Sequence, residues 1–324
     1  RRTWVHQVLQ RREHFGEFHH LLQELRLDDG RFQITRLDTN YRRSIPPAER
    51  LSILFATGDS FRTIVFSFRV GVSTVSQIIP QVATAIWDCL VDDFMAVPSI
   101  ADWRSIHVQT KAPPNSGSMF HNYKGTFSIF LLAVVDARYR FRVIDVGGYG
   151  RTSDGGILAN STFGQALRAG TLHLPPDQPL PGGEHRGAQP HVFVADEAFP
   201  PWRELMRPFP GRLLPLEKRI FNYRLSRARM IVEGTFGVLS SQWRLYRRSM
   251  ELRPEIAEKC VKATCVLHNF LRCLDERGAP AVVEPLQGLG RVAANNSSRE
   301  AVLVREKFMA HFSAEGAVSW QPKE

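Results

Sequence analysis

The sequence predicts an α/β protein in which a helical N-terminal region precedes a mixed sheet with flanking helices. Over the first hundred residues, apolar side chains recur at helical spacing. Beyond Pro98, apolar runs of strand length alternate with further helical patterns, as expected of a sheet covered by helices. The 324 residues are 43% hydrophobic and 23% charged, a composition that supports a buried core and excludes collagen-like and wholly disordered proteins.

The N-terminal region is predicted to begin with two helical segments. An apolar stripe at helical spacing covers residues 4–25 and ends before Asp28-Asp29-Gly30. Pro46-Pro47 then opens a second helix, because proline suits the first turn of a helix.

Residues 60–90 form a helix-turn-helix pattern. Ser60 and Ser73 can cap two helices separated by Gly71, and Pro80 is expected to kink the second helix. Two interpretations remain open. The second helix either reads DNA or packs with the first as a hairpin around its own core, and its lack of Arg and Lys favours the hairpin.

The rest of the chain supplies strands and further helices. Strands are predicted at residues 106–110, 126–135, 140–146 and 191–195. Helices are predicted at residues 157–168, 222–247 and 254–273, and from Ser297-Ser298 toward Phe312. Residues 170–190, rich in Pro and Gly, are expected to form a long loop, and residues 275–296 a linker.

Positive charge is concentrated in one segment. The formal net charge is +10, and residues 203–253 contain 12 Lys and Arg against four acids. Most of the basic residues are Arg, which can form two parallel hydrogen bonds to a phosphate. Arg enrichment alone is also explained by base composition, but a local block of charge favours a nucleic-acid partner.

The four cysteines do not predict a metal site. Cys260, Cys265 and Cys273 share one predicted helix with His268, and their directions around the helix axis diverge too widely for four ligands to converge. Buried thiols on an apolar helix are therefore expected, in a reducing compartment. No apolar run reaches the length of a membrane span, and no secretory signal is recognised.

The helix predicted at residues 222–247 carries a polar stripe around Glu233. The residues within about 40° of Glu233 on such a helix are Asn222, Ser226, Arg229, Gly237, Ser240 and Arg244. A salt-bridged surface explains this stripe, because Arg229 and Glu233 form an i,i+4 pair. The alternative is a metal site shared with Asp196, which ends a predicted strand, since Mg²⁺ prefers carboxylate oxygens and paired ions assist phosphodiester cleavage.

The segments that contain these residues resemble the Harbinger transposases and the nucleases derived from them, DDE superfamily endonucleases of the PIF/Harbinger type. The resemblance covers residues 107 to about 274 and includes HVQTKAP, NYKGTFSIFLLAVVDARYRF, GRTSDGGILANS, HVFVADEAFP, FNYRLSRARMIVEGTFGVLSSQWR and CVLHNFL. The N-terminal helical part and the final segment, SREAVLVREKFMAHFSAEGAVSWQ, are also similar to this family.

The resemblance implies a ribonuclease-H-like fold and a metal-dependent DNA endonuclease. It maps the second and third catalytic acids onto Asp196 and Glu233, and an additional metal-site aspartate onto Asp154. Mg²⁺ or Mn²⁺ is the implied cofactor. DNA is the implied partner, together with a Myb- or SANT-like protein. The implied localisation is the nucleus, with the cytoplasm open as an additional location. The DNA phosphates are expected to contact Arg224, Arg227, Arg229 and Arg244.

The sequence departs from the family pattern at the first catalytic aspartate. The family places it in a short strand just before the segment matching HVQTKAP, whereas here Trp103-Arg104-Ser105-Ile106 leads directly into His107. Asp102, the nearest acid, lies in a segment predicted to be helical and is a poor substitute. An impaired endonuclease and a catalytically inactive, domesticated DNA- or chromatin-binding protein are therefore both open, with a non-functional fragment as a lesser alternative.

Three regions are expected along the chain. Residues 1–100 form the helical N-terminal region, residues 101–274 the nuclease domain without its first strand, and residues 275–324 the linker and the C-terminal helix.

Overall fold

The structure, a computed structural model, describes residues 47–55, 61–68, 70–95, 105–111, 128–149, 153–247, 250, 252–275 and 298–322. The helices in these ranges are α1 (Pro47–Phe55), α2 (Phe61–Phe68), α3 (Val72–Phe94), α4 (Asp154–Asn160), α5 (Thr162–Ala169), α6 (Leu216–Gln242), α7 (Pro254–Asp275) and α8 (Arg299–Ser313). The strands are β1 (Ser105–Lys111), β2 (Ser128–Val135), β3 (Phe141–Tyr149), β4 (Phe193–Val194) and β5 (Leu205–Met206).

An antiparallel sheet of order β1-β2-β3 forms the centre of the fold. Ser105 pairs with Val134 and Lys111 with Ser128, so β1 lies along the whole of β2. Alternate side chains of β2 enter two different hydrophobic clusters, one on each face of the sheet. Burial on both faces explains why this strand reads as a continuous apolar run in the sequence. The strands predicted at residues 106–110, 126–135 and 140–146 are confirmed.

A second, two-stranded sheet pairs β4 with β5 in parallel. It lies beside the first sheet, because Cα atoms of β1 and β4 approach within 8 Å. Only β4 of this pair was predicted. The mixed α/β architecture is confirmed, whereas the predicted single mixed sheet is replaced, among the described residues, by an antiparallel and a parallel sheet.

One hydrophobic core joins the N-terminal helices to the central sheet. Side chains of α1, α2 and α3 pack with one face of β2 and with α6 and α7. The opposite face of β2 packs against α4, α5 and β4. The boundary predicted at residue 100 therefore does not separate two cores, and the division into three regions stays a prediction.

The packing of α3 supports the hairpin interpretation of the helix-turn-helix pattern. Its apolar side chains, including Ile79 and Ile86, are buried in this core. The helix contains no Arg or Lys, and Asp88 and Asp92 are exposed, which disfavours contact with DNA phosphates. Gly71 is the N-cap, so Ser73 lies inside the helix rather than capping it.

Three helix boundaries differ from the predicted ones, two of them for local reasons. α6 ends at Gln242 because the Arg247 guanidinium donates to the carbonyls of Ser240 and Ser241, at 2.8 and 2.9 Å. α6 also begins at Leu216, six residues earlier than predicted. Instead of one helix over residues 157–168, α4 and α5 meet at Ser161, whose hydroxyl donates to the Leu158 carbonyl and accepts from the Gly164 amide. α8 begins as predicted, with Ser298 as its cap.

The turn between β2 and β3 is fixed by a network of buried polar groups. Asn269 of α7 accepts a hydrogen bond from the Phe141 amide at 2.8 Å and donates to the carbonyls of Phe141 and Phe94. The neighbouring His268 donates from Nε2 to the Tyr139 carbonyl at 2.7 Å. These two side chains therefore attach the hairpin of the sheet to α7 and to the end of α3.

Several sequence predictions lie outside the described residues. They are the helix over residues 4–25, the cap at Ser60, the role of Asp102 and the linker up to residue 297. Cys260 and Cys265 are buried in α7 as expected, and burial raises the pKa of Cys260 to about 12. No helix in the described part of the chain is long and apolar enough to cross a membrane.

Candidate active site

Asp196 follows β4 at the edge of the parallel sheet. The Ala195 amide donates to the Met206 carbonyl at 2.8 Å, so the pairing with β5 continues to the residue before Asp196. The Phe199 amide donates to the Asp196 carbonyl at 3.1 Å, and the Glu197 amide to Asp196 Oδ1 at 2.6 Å. These hydrogen bonds close a tight turn that holds the Asp196 carboxylate at the end of the strand.

Arg207 supports the turn after Asp196 through hydrogen bonds to its backbone. This residue directly follows β5, and its Nη1 atom donates to the carbonyls of Glu197 and Phe199 at 3.2 and 3.4 Å. No sequence pattern identified Arg207 as a residue of the site. The two residues of β5 give no periodic signal in the sequence, so the contact of Arg207 with the Asp196 turn could not be predicted from it.

Glu233 lies in the middle of α6. The helix is fixed by buried side chains of the predicted apolar stripe, among them Leu225, Val232 and Leu239. Glu233 itself projects away from this stripe, with 43% of its side chain exposed. A Cβ atom at Gly237, one turn further along the same face, would meet no atom within 4 Å. Among the residues that the structure describes, nothing covers the Glu233 face of α6 at this turn.

Arg229 brings the two predicted acids together. Its Nη2 atom lies 3.4 Å from Asp196 Oδ2 and 3.4 Å from Glu233 Oε1. The two carboxylate oxygens therefore cannot be farther apart than twice that distance. The predicted i,i+4 pair of Arg229 and Glu233 is confirmed. The same guanidinium also contacts Asp196, so the salt bridge and the approach of the two acids occur together.

The converging carboxylates have the chemistry of a site for one hard cation. Mg²⁺ is commonly held by one or two carboxylates, with water completing its coordination. Arg229 now supplies the positive charge between Asp196 and Glu233. No group of three or more His, Cys, Asp or Glu side chains suited to a metal ion is found within the described residues. Among the described side chains, Asp196 and Glu233 are the carboxylates that meet at this point.

Asp154 is placed only by its backbone. It is the first residue of α4, and the Ser153 hydroxyl caps this helix by accepting from the Gly156 amide at 3.3 Å. The Asp154 side chain lies outside the described part of the structure, so its place in the metal site stays a prediction.

The four arginines expected to contact DNA lie on different surfaces. Arg229 is in the site, and Arg244 is exposed in the 3₁₀ turn that follows α6. Arg224 and Arg227 lie about 180° and about 120° around the helix from Glu233. Arg224 stacks on Phe312 at 4.0 Å and also donates to the Gly316 carbonyl.

The C-terminal segment therefore occupies the face of α6 that carries Arg224 and Arg227. The Arg227 guanidinium lies 4.3 Å from the ring centre of Trp320. Burial lowers the pKa of Arg224, as expected for a guanidinium committed to packing. Arg229 and Arg244 are thus the two predicted DNA contacts on the side of Glu233.

Comparison with known proteins gives two matches. The family described as DDE superfamily endonuclease matches residues 104–269. Protein ALP1-like from Arabidopsis thaliana is 26% identical over 247 residues, which cover 68% of this chain and 59% of that protein. The chain thus spans less than two thirds of the length of this relative. No solved structure matches.

The family match includes the strands of the central sheet, Asp196, most of α7 and the whole of α6 with Glu233. It covers about half of the chain and agrees with the family indicated by the sequence motifs. The chain belongs to the DDE superfamily endonucleases.

Proposed function

We propose that this chain is a transposase-derived DNA-binding protein of the endonuclease family that holds one divalent cation and cuts DNA poorly. The observation that carries the proposal is the convergence of Asp196 and Glu233 on the Arg229 guanidinium. The carboxylates of Asp196 and Glu233 meet at the positive charge of the Arg229 guanidinium, and both carboxylates remain accessible to solvent.

Asp196 and Glu233 are the residues that would hold Mg²⁺ or Mn²⁺. The bound ion would polarise a phosphodiester oxygen and lower the cost of negative charge during cleavage. Arg229 competes for the same oxygens, because its contacts at 3.4 Å are long for ion pairs and both carboxylates are part-exposed. When an ion is bound, Arg229 becomes free to contact a phosphate of the DNA.

Weak cutting follows from the residues of β1. This strand occupies the position beside β2 and approaches β4, but its sequence, SIHVQTK, contains no Asp or Glu. Two-ion cleavage requires carboxylates that serve both ions, and Asp196 and Glu233 alone provide too few oxygens for the second ion. A catalytically inactive DNA- or chromatin-binding protein is the second candidate, and the same observation favours it.

DNA binding is proposed from the basic segment between residues 203 and 253. The acidic exposed face of α3 makes the helix-turn-helix pattern a poor DNA reader, so α6 and the turn after it are the proposed contact surface. Nuclear localisation and a Myb- or SANT-like partner belong to the same proposal and rest on the family alone.

A plasmid-nicking assay in Mn²⁺ tests the proposal. The purified chain is compared with the Asp196→Ala, Glu233→Ala double variant and with a control, Glu217→Ala, Glu255→Ala, that removes two exposed acids elsewhere. We expect wild type and control to bind the plasmid, with nicking near the level of the double variant. Strong nicking that the double variant abolishes would show that another acid, Asp102 or Asp154, completes the site. If the wild-type chain does not bind the plasmid, the proposed function as a whole is contradicted.

A further inference from the structure

Two exposed aromatic side chains lie next to each other on the surface beside α6. Tyr223 of α6 is 38% exposed, and Trp320 of the C-terminal segment is 46% exposed. Their ring centres are 6.1 Å apart, with an angle of 50° between the ring planes. Single exposed apolar side chains are common on protein surfaces, but adjoining exposed rings form an apolar surface of the kind that binds a partner.

An exposed arginine completes this surface. The Arg227 guanidinium lies 4.3 Å from the ring centre of Trp320 and 6.0 Å from that of Tyr223. Arg224, 5.6 Å from the ring centre of Trp320, is partly buried and attaches the C-terminal segment to α6 through the Gly316 carbonyl. Tyr223, Arg227 and Trp320 are here named the aromatic platform, which combines two rings with one exposed positive charge.

The turn that carries Trp320 is held in place although its ring is exposed. Gln321 Oε1 accepts a hydrogen bond from the Val318 amide at 3.3 Å, and Gln321 Nε2 donates to the Phe312 carbonyl in the last turn of α8 at 3.1 Å. The Gln321 amide donates to the Val318 carbonyl at 3.2 Å. A ligand that stacks on Trp320 therefore meets a backbone that is already ordered, so binding costs less conformational entropy.

The charge around the platform favours a nucleic-acid base as its ligand. The side chains one turn before and one turn after Tyr223 on α6 are Arg219 and Arg227, both exposed. Every base has a π-face that stacks on aromatic rings and on arginine, and it arrives with a negatively charged phosphate. The bases of an intact duplex are already stacked on one another, so a base that reaches these rings must be unpaired.

We propose that the aromatic platform binds unpaired nucleotides of the DNA strand that reaches Asp196 and Glu233. The inference deepens the proposed DNA-directed function and rests on it. The basic segment binds phosphates whatever the sequence or pairing of the DNA, whereas the platform adds contacts that only exposed bases can make.

The position of the platform on α6 places it within reach of a strand bound at the candidate site. Tyr223 lies about 15 Å along the helix axis and about 80° around it from Glu233. Ser226 and Met230, which lie between them on this surface, carry no charge that would repel a phosphate. A strand with about 3.4 Å or more per nucleotide covers this distance in about five nucleotides.

The first experiment separates base stacking from phosphate binding. The full chain is titrated in EDTA into a fluorescently labelled oligothymidylate of about 12 nucleotides and into an abasic strand of equal length, which keeps the phosphates and lacks the bases. We expect wild type to bind the thymidylate about tenfold more tightly, the effect of about one stacked base. Trp320→Leu should lose this preference, whereas Trp320→Phe, which keeps an aromatic ring, should retain most of it.

Two further variants control for effects on packing. Leu303→Ala removes an exposed apolar side chain from α8 and should bind both strands as wild type does. Tyr223→Leu changes a ring on α6 rather than in the C-terminal segment, and should reduce the preference for thymidylate in the same way as Trp320→Leu. Neither ring carries a charge, so the log–log salt slope should stay the same in both variants.

The two strands also give the results that would overturn the inference. Equal losses of affinity for both strands in Trp320→Leu would show that the ring only supports the arginines, and a wild type without preference for thymidylate would exclude stacking. Dimerisation that Trp320→Leu abolishes, with unchanged thymidylate binding, would assign the surface to a second copy of this chain. Failure of wild type to bind a duplex and the abasic strand would instead overturn the proposed function, while preference for thymidylate still tests the platform.

Discussion

Asp136 and Asp196 each follow a strand, but their surroundings differ. Asp136, after β2, has a side chain that is 0% exposed. Its Oδ1 atom accepts from the amides of Arg138 and Arg140 at 2.8 and 3.0 Å. Its Oδ2 atom accepts from the Nε atoms of Arg140 and Arg142, both at 2.9 Å. Four donors therefore satisfy this carboxylate fully.

Asp196 keeps much of its hydrogen-bonding capacity. Its side chain is 32% exposed, it accepts the Glu197 amide, and the Arg229 nitrogen lies at the longer distance of 3.4 Å. A carboxylate with four short, buried hydrogen bonds has no capacity left for a ligand and serves the fold. A carboxylate that is exposed and weakly paired can exchange its partner for a metal ion. Both acids follow a strand, so their position does not distinguish them. The number and length of the hydrogen bonds that each carboxylate accepts distinguish the structural acid Asp136 from the candidate site acid Asp196.

The largest expected effect is on the structural acid. Asp136→Ala leaves Arg140 and Arg142 beside an empty position in the turn of the hairpin, and removal of one partner from a buried ion pair costs about 4 kcal/mol of unfolding free energy. Asp196→Ala, the matched control, should cost less than about 1 kcal/mol, because its pair with Arg229 is long and part-exposed. Urea denaturation of both variants measures these changes in unfolding free energy. Equal losses of stability would contradict the distinction between a structural and an available carboxylate.

A smaller effect is expected at His268, which belongs to the same hairpin network. Burial lowers the pKa of His268 to about 4 from an ordinary value of 6.5. Between these values the unfolded chain binds a proton that the folded chain does not. Stability is therefore lost as the pH falls from about 6.5 to about 4, by at most about 3 kcal/mol.

Urea denaturation at pH 7.5 and pH 4.5 measures this loss for wild type and for His268→Gln. Carboxylates titrate in both proteins, so the difference between their pH dependences isolates His268. We expect the variant to lose less stability on acidification. Identical losses would show that His268 is not held neutral by the fold.

The same contrast explains which features could be predicted from the sequence. The strand β2 was recognised because burial on both faces imposes a continuous apolar run. β5 was missed because two residues carry no period, and the end of α6 was misplaced because it depends on Arg247 folding back onto the last carbonyls. Short strands and side-chain caps depend on tertiary contacts, which periodicity does not encode.

The candidate site was predicted in part and for a different reason. The polar stripe on α6 identified Glu233 and its pair with Arg229, since residues four apart on a helix are neighbours. The approach of Asp196 to that stripe was one of two alternatives left open by the residue types, and the family resemblance supported it, because a strand end and a helix face have no local relation. Arg207 was not found, since its contact with the turn after Asp196 depends on the pairing of two short strands.

Calorimetric titration with Mn²⁺ tests most directly whether the weakly paired carboxylates are available to a ligand. We predict that the wild-type chain binds one Mn²⁺ ion and that Asp196→Asn, Glu233→Gln binds none, while Glu217→Gln, Glu255→Gln, which neutralises two exposed acids elsewhere, binds as wild type does. Arg229→Gln should bind the ion more tightly than wild type, because the competing guanidinium is removed. Absence of binding by wild type and Arg229→Gln, or binding that persists unchanged in Asp196→Asn, Glu233→Gln, would contradict the account.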